Sequence, residues 1–197
     1  FKVSINNSKI LNTLNLKHNN YFVVSAHREE NINNEKNFKD LINSLNQIAE
    51  KFKLPIIVST HPRTRKMIEK KKVNVNSLVK FLKPLGFIDY NALQKKSFVV
   101  LSDSGTINEE SSILNFKALN IREAHERPEA MEEASTIMVG LNPERILQGI
   151  EQLSDQKIHD ERNFRLVNDY SMPNVSKKVV RVIISYIDFI NRIVWNK

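Results

Sequence analysis

The sequence predicts an α/β domain built on a doubly wound, Rossmann-like parallel sheet. Short apolar runs alternate along the chain with stretches of helical periodicity. Most of these runs are apolar at successive positions, which is typical of strands covered by helices on both faces. Polar and charged residues follow several runs, at the carboxyl ends of the predicted strands. Doubly wound folds bind ligands at that edge of the sheet, so a functional site is expected there.

The first strand and helix follow from local residue patterns. Residues 21–25 form a short, β-branched apolar run, which indicates a strand. Asn33 and Asn34 are candidate helix caps, and apolar residues then recur at helical spacing as far as Phe52. The pattern therefore predicts a strand followed by an amphipathic helix.

The same alternation continues along the chain. Pro55 precedes a strand at residues 56–59, and His61-Pro62 opens a basic helix over residues 63–72, because proline favours the first helical turn. Four more strands are expected at residues 78–82, 98–101, 118–121 and 136–139. Helices are expected between and after these strands at residues 88–96, 106–114, 128–133 and 143–153.

Composition excludes several classes of function. The 197 residues include no cysteine and five histidines without paired spacing, so neither a disulfide framework nor a metal cofactor is expected. No apolar run approaches the roughly 20 residues that cross a bilayer, so we expect no membrane partner and a cytoplasmic location. The net charge of +8 is scattered apart from residues 69–72, which argues against nucleic acid as a partner.

Residues 98–110 are the most informative stretch. They read as a strand, a tight turn at Asp103-Ser104-Gly105, and a helix. A helix that begins at the carboxyl end of a strand offers free N–H groups and about half a positive charge, so a diphosphate fits there. Glu110 would lie more than one turn into the helix, where a carboxylate can accept hydrogen bonds from ribose hydroxyls. The alternative interpretation is a plain Ser-Gly turn.

Two other polar loops fall at the same edge. His27 and Arg28 follow the first strand, where histidine can transfer protons near neutral pH and arginine can clamp phosphate. The alternative is a hydrogen-bonded structural histidine at an ordinary helix start. Residues 122–129 are too polar for a buried connection, which favours a binding loop. Arg127, just before Pro128, is its best-placed cation for a phosphate.

The end of the chain has a different pattern. Residues 176–193 carry Val and Ile at helical spacing, and Tyr186, Phe189 and Trp195 widen the apolar surface. Such a helix needs more burial than one sheet face normally gives. Two interpretations remain open: the helix packs on its own sheet, or it crosses onto a neighbouring domain.

Three segments, in this order and spacing, carry a family resemblance: His27-Arg-Glu-Glu-Asn31, Asp103-Ser-Gly-Thr-Ile-Asn-Glu-Glu110 and Glu126-Arg-Pro-Glu129. They resemble the carboxyl-terminal domain of the non-hydrolysing UDP-N-acetylglucosamine 2-epimerases, and the resemblance covers most of residues 21–150. The tail, at residues 170–176 and 191–195, resembles the capsular branch of the family that makes UDP-N-acetyl-L-fucosamine.

The resemblance implies one half of a GT-B-type fold, in which two Rossmann-like domains face each other and the second binds UDP. Because the chain begins at Phe1 rather than Met, we expect residues 1–20 to lead in from a missing N-terminal domain. Residues 21–170 would then form the UDP-binding domain, and residues 171–197 a helix that crosses towards the missing domain. Family members are commonly homodimers, so a homodimer is expected at full length.

The resemblance also assigns roles to individual residues, with a UDP-sugar as the substrate and no cofactor. The implied contacts are Ser104, Gly105 and Thr106 at the diphosphate, Glu110 at the ribose, Tyr90 near the uracil, Arg127 at the phosphates, Arg28 as a further substrate contact, and His27 as the active-site histidine. The implied reaction eliminates UDP to give a 2-acetamidoglycal, and then returns the proton and UDP with C2 inverted.

The chain departs from the family pattern at two positions. Thr106 replaces a second glycine, and Glu29 replaces an arginine that belongs to an allosteric substrate site in bacterial members, so such regulation is not expected here. The proposed acid and base belong to the missing domain, so the isolated chain is expected to bind UDP weakly and to turn nothing over. A glycosyltransferase half and a non-catalytic nucleotide-binding module remain alternatives.

Overall fold

The computed structural model describes residues 1–60, 64–65, 67–68, 73–124 and 127–197. They form two compact units, Phe1–Val167 and Asn168–Lys197. The strands of the first unit are β1 (Phe22–Ser25), β2 (Ile56–Ser59), β3 (Val79–Leu82), β4 (Val99–Ser102), β5 (Ala118–Asn120) and β6 (Ile137–Met138). Its helices include α1 (Lys2–Asn6), α2 (Ile10–Thr13), α3 (Glu29–Ile32), α4 (Glu35–Phe52), α5 (Phe87–Lys95), α6 (Ile107–Leu114), α7 (Pro128–Glu132) and α8 (Pro143–Gln152).

The six strands form one parallel sheet in the order β3-β2-β1-β4-β5-β6. The chain first builds outward from β1 to β3, and then returns to build outward on the other side from β4 to β6. The order therefore reverses between β1 and β4, which is the position where doubly wound sheets form a ligand crevice. The predicted fold class is confirmed. The predicted helix over residues 63–72 falls mostly outside the described residues.

Burial explains why the strands could be recognised as apolar runs. All four residues of β1 and all four of β4 are buried, because helices cover both faces of the central sheet. One apolar cluster gathers the inner faces of α4 and α8 with residues of β1, β2 and β4. A second cluster on the other face includes residues of α1, α2 and α5.

The N-terminal segment belongs to this second cluster. Ile5, Ile10 and Leu16 are buried there, so this segment packs as part of the first unit. Helices α1 and α2 are five and four residues long, and each buries one apolar side chain. Such short elements carry no periodicity, which is why the sequence pattern did not indicate them.

The long helix after β1 is capped as the sequence predicted. The Asn34 side chain accepts hydrogen bonds from the N–H groups of Lys36 at 3.0 Å and Asn37 at 3.1 Å. The helix ends at Phe52, because the next residue, Lys53, adopts a left-handed conformation with φ 55°. The cap at Asn34 and the left-handed residue at Lys53 set the two ends of α4, and the chain then continues into β2.

The second unit contains α9 (Asn168–Ser171) and α10 (Val175–Ile193). Within this unit most apolar side chains of α10 are exposed, among them Val179, Ile183 and Ile187. Lys177, Lys178 and Arg181 lie on a more polar side of the helix. None of the helices described here has both the length and the apolar character needed to cross a membrane.

Candidate functional site

A polar cavity of about 200 Å³ lies at the carboxyl ends of the central strands. Its lining residues are Ser25, His27, Ser59, Leu85, Tyr90, Ser102, Ser104, Thr106 and Glu110. The sheet register explains the three strand-end serines, since Ser25 pairs with both Ser59 and Ser102 across the parallel ladders. Three adjacent strands thus end in hydroxyl groups at one level. Larger cavities, of about 480, 430, 290 and 220 Å³, lie away from these strand ends.

The turn between β4 and α6 forms one wall of the cavity. The Ser104 N–H donates to Ser102 Oγ at 3.1 Å, which holds the turn against the end of β4. The Ser104 and Thr106 hydroxyl oxygens lie 3.0 Å apart. Helix α6 begins directly after Thr106, and the Thr106 side chain makes no capping hydrogen bond to the helix. Hydroxyl groups and a helix start therefore face the same space, which suits a phosphate ligand.

Glu110 lies one turn further along α6. Its Oε2 accepts a hydrogen bond from Gln94 Nε2 at 2.8 Å, and its Oε1 accepts one from Thr106 Oγ1 at 3.0 Å. Burial raises the pKa of Glu110 above its ordinary value and the charge of Glu109 adds to the rise, whereas the two hydrogen bonds oppose it. The carboxylate is thus oriented for accepting hydrogen bonds and is incompletely solvated.

Tyr90 projects from α5 into the same cavity. Burial raises its pKa to about 12, and the carboxylates of Glu110 and Asp103 act in the same direction, against a hydrogen bond with Ser25. The phenol therefore stays neutral at physiological pH. It offers a ring face and a hydroxyl, which suits contact with an uncharged aromatic group of a ligand.

Asp103 joins the two loops of the site. Its side chain is fully buried, and Oδ2 accepts hydrogen bonds from His27 N at 2.9 Å, Arg28 N at 2.9 Å and Asn31 Nδ2 at 3.0 Å. The Asp103 N–H in turn donates to Ser25 O at 3.0 Å. The His27 loop is therefore fixed to the turn that begins α6.

His27 is partly exposed, with 44% of its side-chain surface accessible. Its Nδ1 lies 3.2 Å from Ser25 Oγ and 3.9 Å from Asp103 Oδ1. Because Nδ1 faces these two protein groups, Nε2 is the ring nitrogen left for a ligand. A histidine held in this way can transfer a proton at the edge of the cavity.

Two predicted cations lie outside the described lining of this cavity. Arg28 Nε donates to the backbone oxygen of Asp103 at 3.0 Å, so this side chain braces the loop. Arg127 Nε donates to Glu109 Oε1 at 2.6 Å, beside the first turn of α6. Each guanidinium is occupied by an acceptor within the protein, and phosphate contact by either remains a prediction.

The structure thus brings five predicted site residues together, namely His27, Tyr90, Ser104, Thr106 and Glu110, with Gly105 in the turn between two of them. The strand-end serines and the anchoring role of Asp103 were not predicted from the sequence. A serine at the end of each of three apolar runs was the available signal, and an aspartate that follows an apolar run was another. Among the residues that the structure describes, no group of three or more His, Asp or Glu could hold a metal ion.

The raised pKa of Glu110 predicts a gain in stability for Glu110→Gln at neutral pH. Since its pKa is higher in the folded chain than in the unfolded chain, ionisation lowers the free energy of unfolding as pH rises from the unfolded pKa through the folded pKa. The amide removes this penalty and can still bond Gln94 and Thr106. Calorimetric Tm values should be higher for the variant at pH 7 and converge with wild type near about pH 4.

Exposed Glu132 provides the matched control for this prediction. The Glu132→Gln change should leave the pH dependence of Tm close to that of wild type, because an exposed carboxylate carries little desolvation penalty. A Glu110→Gln variant that is less stable than wild type at pH 7 would show that the hydrogen bonds of the carboxylate outweigh its burial.

The chain is similar in sequence to proteins of known family. A sequence model described as UDP-N-acetylglucosamine 2-epimerase matches residues 1–184. The UDP-N-acetylglucosamine 2-epimerase of Methanococcus maripaludis is 33% identical over 164 residues, which cover 80% of this chain and 45% of that protein. The chain spans about half the length of the curated relatives it matches.

Solved structures give the same result. The structure of UDP-N-acetylglucosamine 2-epimerase from Rickettsia bellii is 43% identical with a TM-score of 0.88, over 100% of this chain and 53% of that one. The Methanocaldococcus jannaschii UDP-GlcNAc 2-epimerase in complex with UDP-GlcNAc and UDP is 28% identical with a TM-score of 0.80, over 93% of this chain and 50% of that one. Together with the match over residues 1–184, these similarities show that the chain belongs to the UDP-N-acetylglucosamine 2-epimerase family.

Proposed function

We propose that this chain is the UDP-binding half of a nucleotide-sugar 2-epimerase with a GT-B-type arrangement of two Rossmann-like domains. The observation that carries the proposal is the cavity at the strand ends, where the Ser104 turn, the start of α6 and the Glu110 carboxylate meet at the reversal of strand order. The related Methanocaldococcus jannaschii protein, solved with UDP-GlcNAc and UDP, supports the choice of ligand.

The residues of the cavity suit successive parts of UDP. Ser104, Gly105 and Thr106 at the start of α6 would hold the diphosphate through hydroxyl and N–H donors. Glu110 would accept hydrogen bonds from the ribose hydroxyls, in exchange for its present bond from Thr106. Tyr90 would contact the uracil ring.

The proposed reaction inverts C2 of the sugar through elimination and re-addition of UDP. The C2 hydrogen has no neighbouring carbonyl to acidify it, so the C1–O bond must weaken early. Donors placed at the departing diphosphate then stabilise the transition state more than the bound substrate. Ser104 and the start of α6 fit this role, and Arg127 would join them once it leaves Glu109. His27, at the edge of the cavity, would be the active-site histidine of this chain, and groups outside the chain would supply the acid and base at C2.

The long helix α10 would complete the two-domain protein. Its exposed apolar side chains suit burial against another protein surface. We assign that surface to the other half of the protein, because the family members that this chain matches are about twice as long. Homodimer formation at full length and membership of the capsular branch are further parts of the proposal.

Calorimetric titration of the chain with UDP tests the proposed site. We expect measurable binding to UDP and much weaker binding to uridine, which lacks the diphosphate. Ser104→Ala and Arg127→Ala should each weaken UDP binding by about 1–3 kcal/mol, the usual range for losing a hydrogen bond to a charged group. Ser154→Ala, an exposed serine outside the cavity lining, should bind UDP like wild type.

The proposal fails if uridine binds as tightly as UDP, or if neither Ser104→Ala nor Arg127→Ala changes the affinity. The reaction is tested separately. The chain is joined to the amino-terminal half of the Rickettsia bellii relative, a protein whose matching part is 43% identical to this chain. An epimerase should exchange the C2 hydrogen with solvent and release glycal. A glycosyltransferase should instead require an acceptor, and a binding module should give neither signal.

A further inference from the structure

We propose that Asp103 is a positioning residue for His27, which it holds with the proton on Nδ1 so that Nε2 is left as an acceptor at the edge of the cavity. The assignment of this nitrogen to catalysis rests on the proposed function. The protonation pattern itself rests only on the geometry around the ring.

The two oxygens of Asp103 have unequal surroundings. Oδ2 accepts three hydrogen bonds, from His27 N, Arg28 N and Asn31 Nδ2, which fixes the orientation of the carboxylate. Oδ1 is buried and has no hydrogen-bond partner among the described residues. It lies 3.9 Å from His27 Nδ1, so a small rotation of the ring would complete a hydrogen bond.

The proton position follows from the cost of burying an unsatisfied acceptor. A carboxylate oxygen that lacks a donor loses its hydration without compensation, and Nδ1–H is a donor within reach. With the proton on Nε2 instead, the lone pair of Nδ1 would point towards the negative Asp103 oxygen. The Nδ1–H form is therefore favoured at this site.

Ser25, the second neighbour of the His27 ring, is also compatible with a proton on Nδ1. Ser25 Oγ lies 3.2 Å from His27 Nδ1, within hydrogen-bond distance. A hydroxyl oxygen can accept a hydrogen bond, so Ser25 can accept from Nδ1–H. The other charged side chain that lines the cavity with His27 is Glu110, whose carboxylate already accepts two hydrogen bonds.

Nitrogen-15 NMR of the histidine rings in the full 197-residue chain tests the proposal. Spectra are recorded near about pH 8.5, where ordinary imidazole is neutral, and His27→Gln identifies the His27 signals. We expect a protonated-type shift at Nδ1 and an unprotonated-type shift at Nε2. In Asp103→Asn the introduced NH₂ can face Nδ1 and donate to it, so the proton should move to Nε2 and the Nδ1–H signal should be lost.

Two further variants make the result specific. Glu30→Gln changes an exposed carboxylate of α3, three residues after His27, to an amide and should leave the His27 shifts unchanged. Ser25→Ala removes the other neighbour of His27 Nδ1, and we expect this variant to keep the proton on Nδ1. If Asp103→Asn does not fold, the Ser25→Ala result shows which of the two neighbours controls the proton position. If the proton moves to Nε2 in Ser25→Ala, then Ser25 rather than Asp103 determines its position, and the proposal is wrong.

The proposal is also wrong if the His27 shifts of the wild-type chain indicate a proton on Nε2, or an average of the two protonation forms. An Asp103→Asn variant that folds and keeps the wild-type shifts overturns it as well. The UDP titration of the wild-type chain reports on the proposed function independently. Normal UDP binding with the wrong His27 form removes only this inference, whereas the expected His27 form without UDP binding removes only the proposed ligand.

Discussion

Replacing Ser104 with glutamate is expected to weaken UDP binding by about 100-fold or more, which corresponds to roughly 3 kcal/mol. The variant places a carboxylate beside the start of α6, where the proposal places the diphosphate. The carboxylate would repel the ligand and would fill part of a cavity of about 200 Å³. It would also take the N–H donors that a phosphate requires. Calorimetric titration with UDP measures the loss directly.

The same substitution should leave the fold intact, which separates a binding effect from unfolding. A negative charge near the N-terminus of a helix is usually stabilising, by about 0.3–1 kcal/mol. The Tm of Ser104→Glu should therefore equal or exceed that of wild type. Ser104→Gln is the matched control, because it has similar volume without the charge, and it should lose less affinity. Binding of UDP by Ser104→Glu within about fivefold of wild type would contradict a diphosphate at this position.

The sequence predicted the fold well because the central strands are buried on both faces. A strand such as β1 or β4 then reads as an unbroken apolar run, which is the signal that survives without any structural information. The carboxyl-end rule placed the polar loops at one edge. His27, Ser104 and Glu110 could therefore be assigned to one site, and the structure places them around one cavity.

The internal organisation of the site could not be predicted in this way. Asp103 contacts residues 72 to 76 positions earlier in the chain, and local patterns carry no information about such pairs. The alignment of Ser25, Ser59 and Ser102 depends on the order of the strands, which was unknown. The ion pair between Arg127 and Glu109 joins the start of α7 to the first turn of α6, so a cation that looked available in the sequence is occupied in the structure.

Replacing Phe22 with alanine is expected to lower the free energy of unfolding of the first unit by about 3–5 kcal/mol. Phe22 is fully buried at the beginning of β1. Its ring lies edge-on to those of Phe52 and Phe98, with centroids 5.3 Å away in each case. Truncation removes apolar burial and two aromatic contacts, and it leaves a cavity between the sheet and the end of α4.

Urea unfolding followed by circular dichroism measures this loss, since the one tryptophan, Trp195, lies in the second unit. Phe87→Ala is the matched control, because this phenylalanine is 62% exposed and should lose less than about 1 kcal/mol. The slope of the unfolding free energy against urea should be unchanged in both variants. Because Phe22 is at the opposite end of β1 from Ser25, folded Phe22→Ala should still bind UDP. A loss below about 1 kcal/mol for Phe22→Ala would mean that the aromatic cluster can collapse around the missing ring.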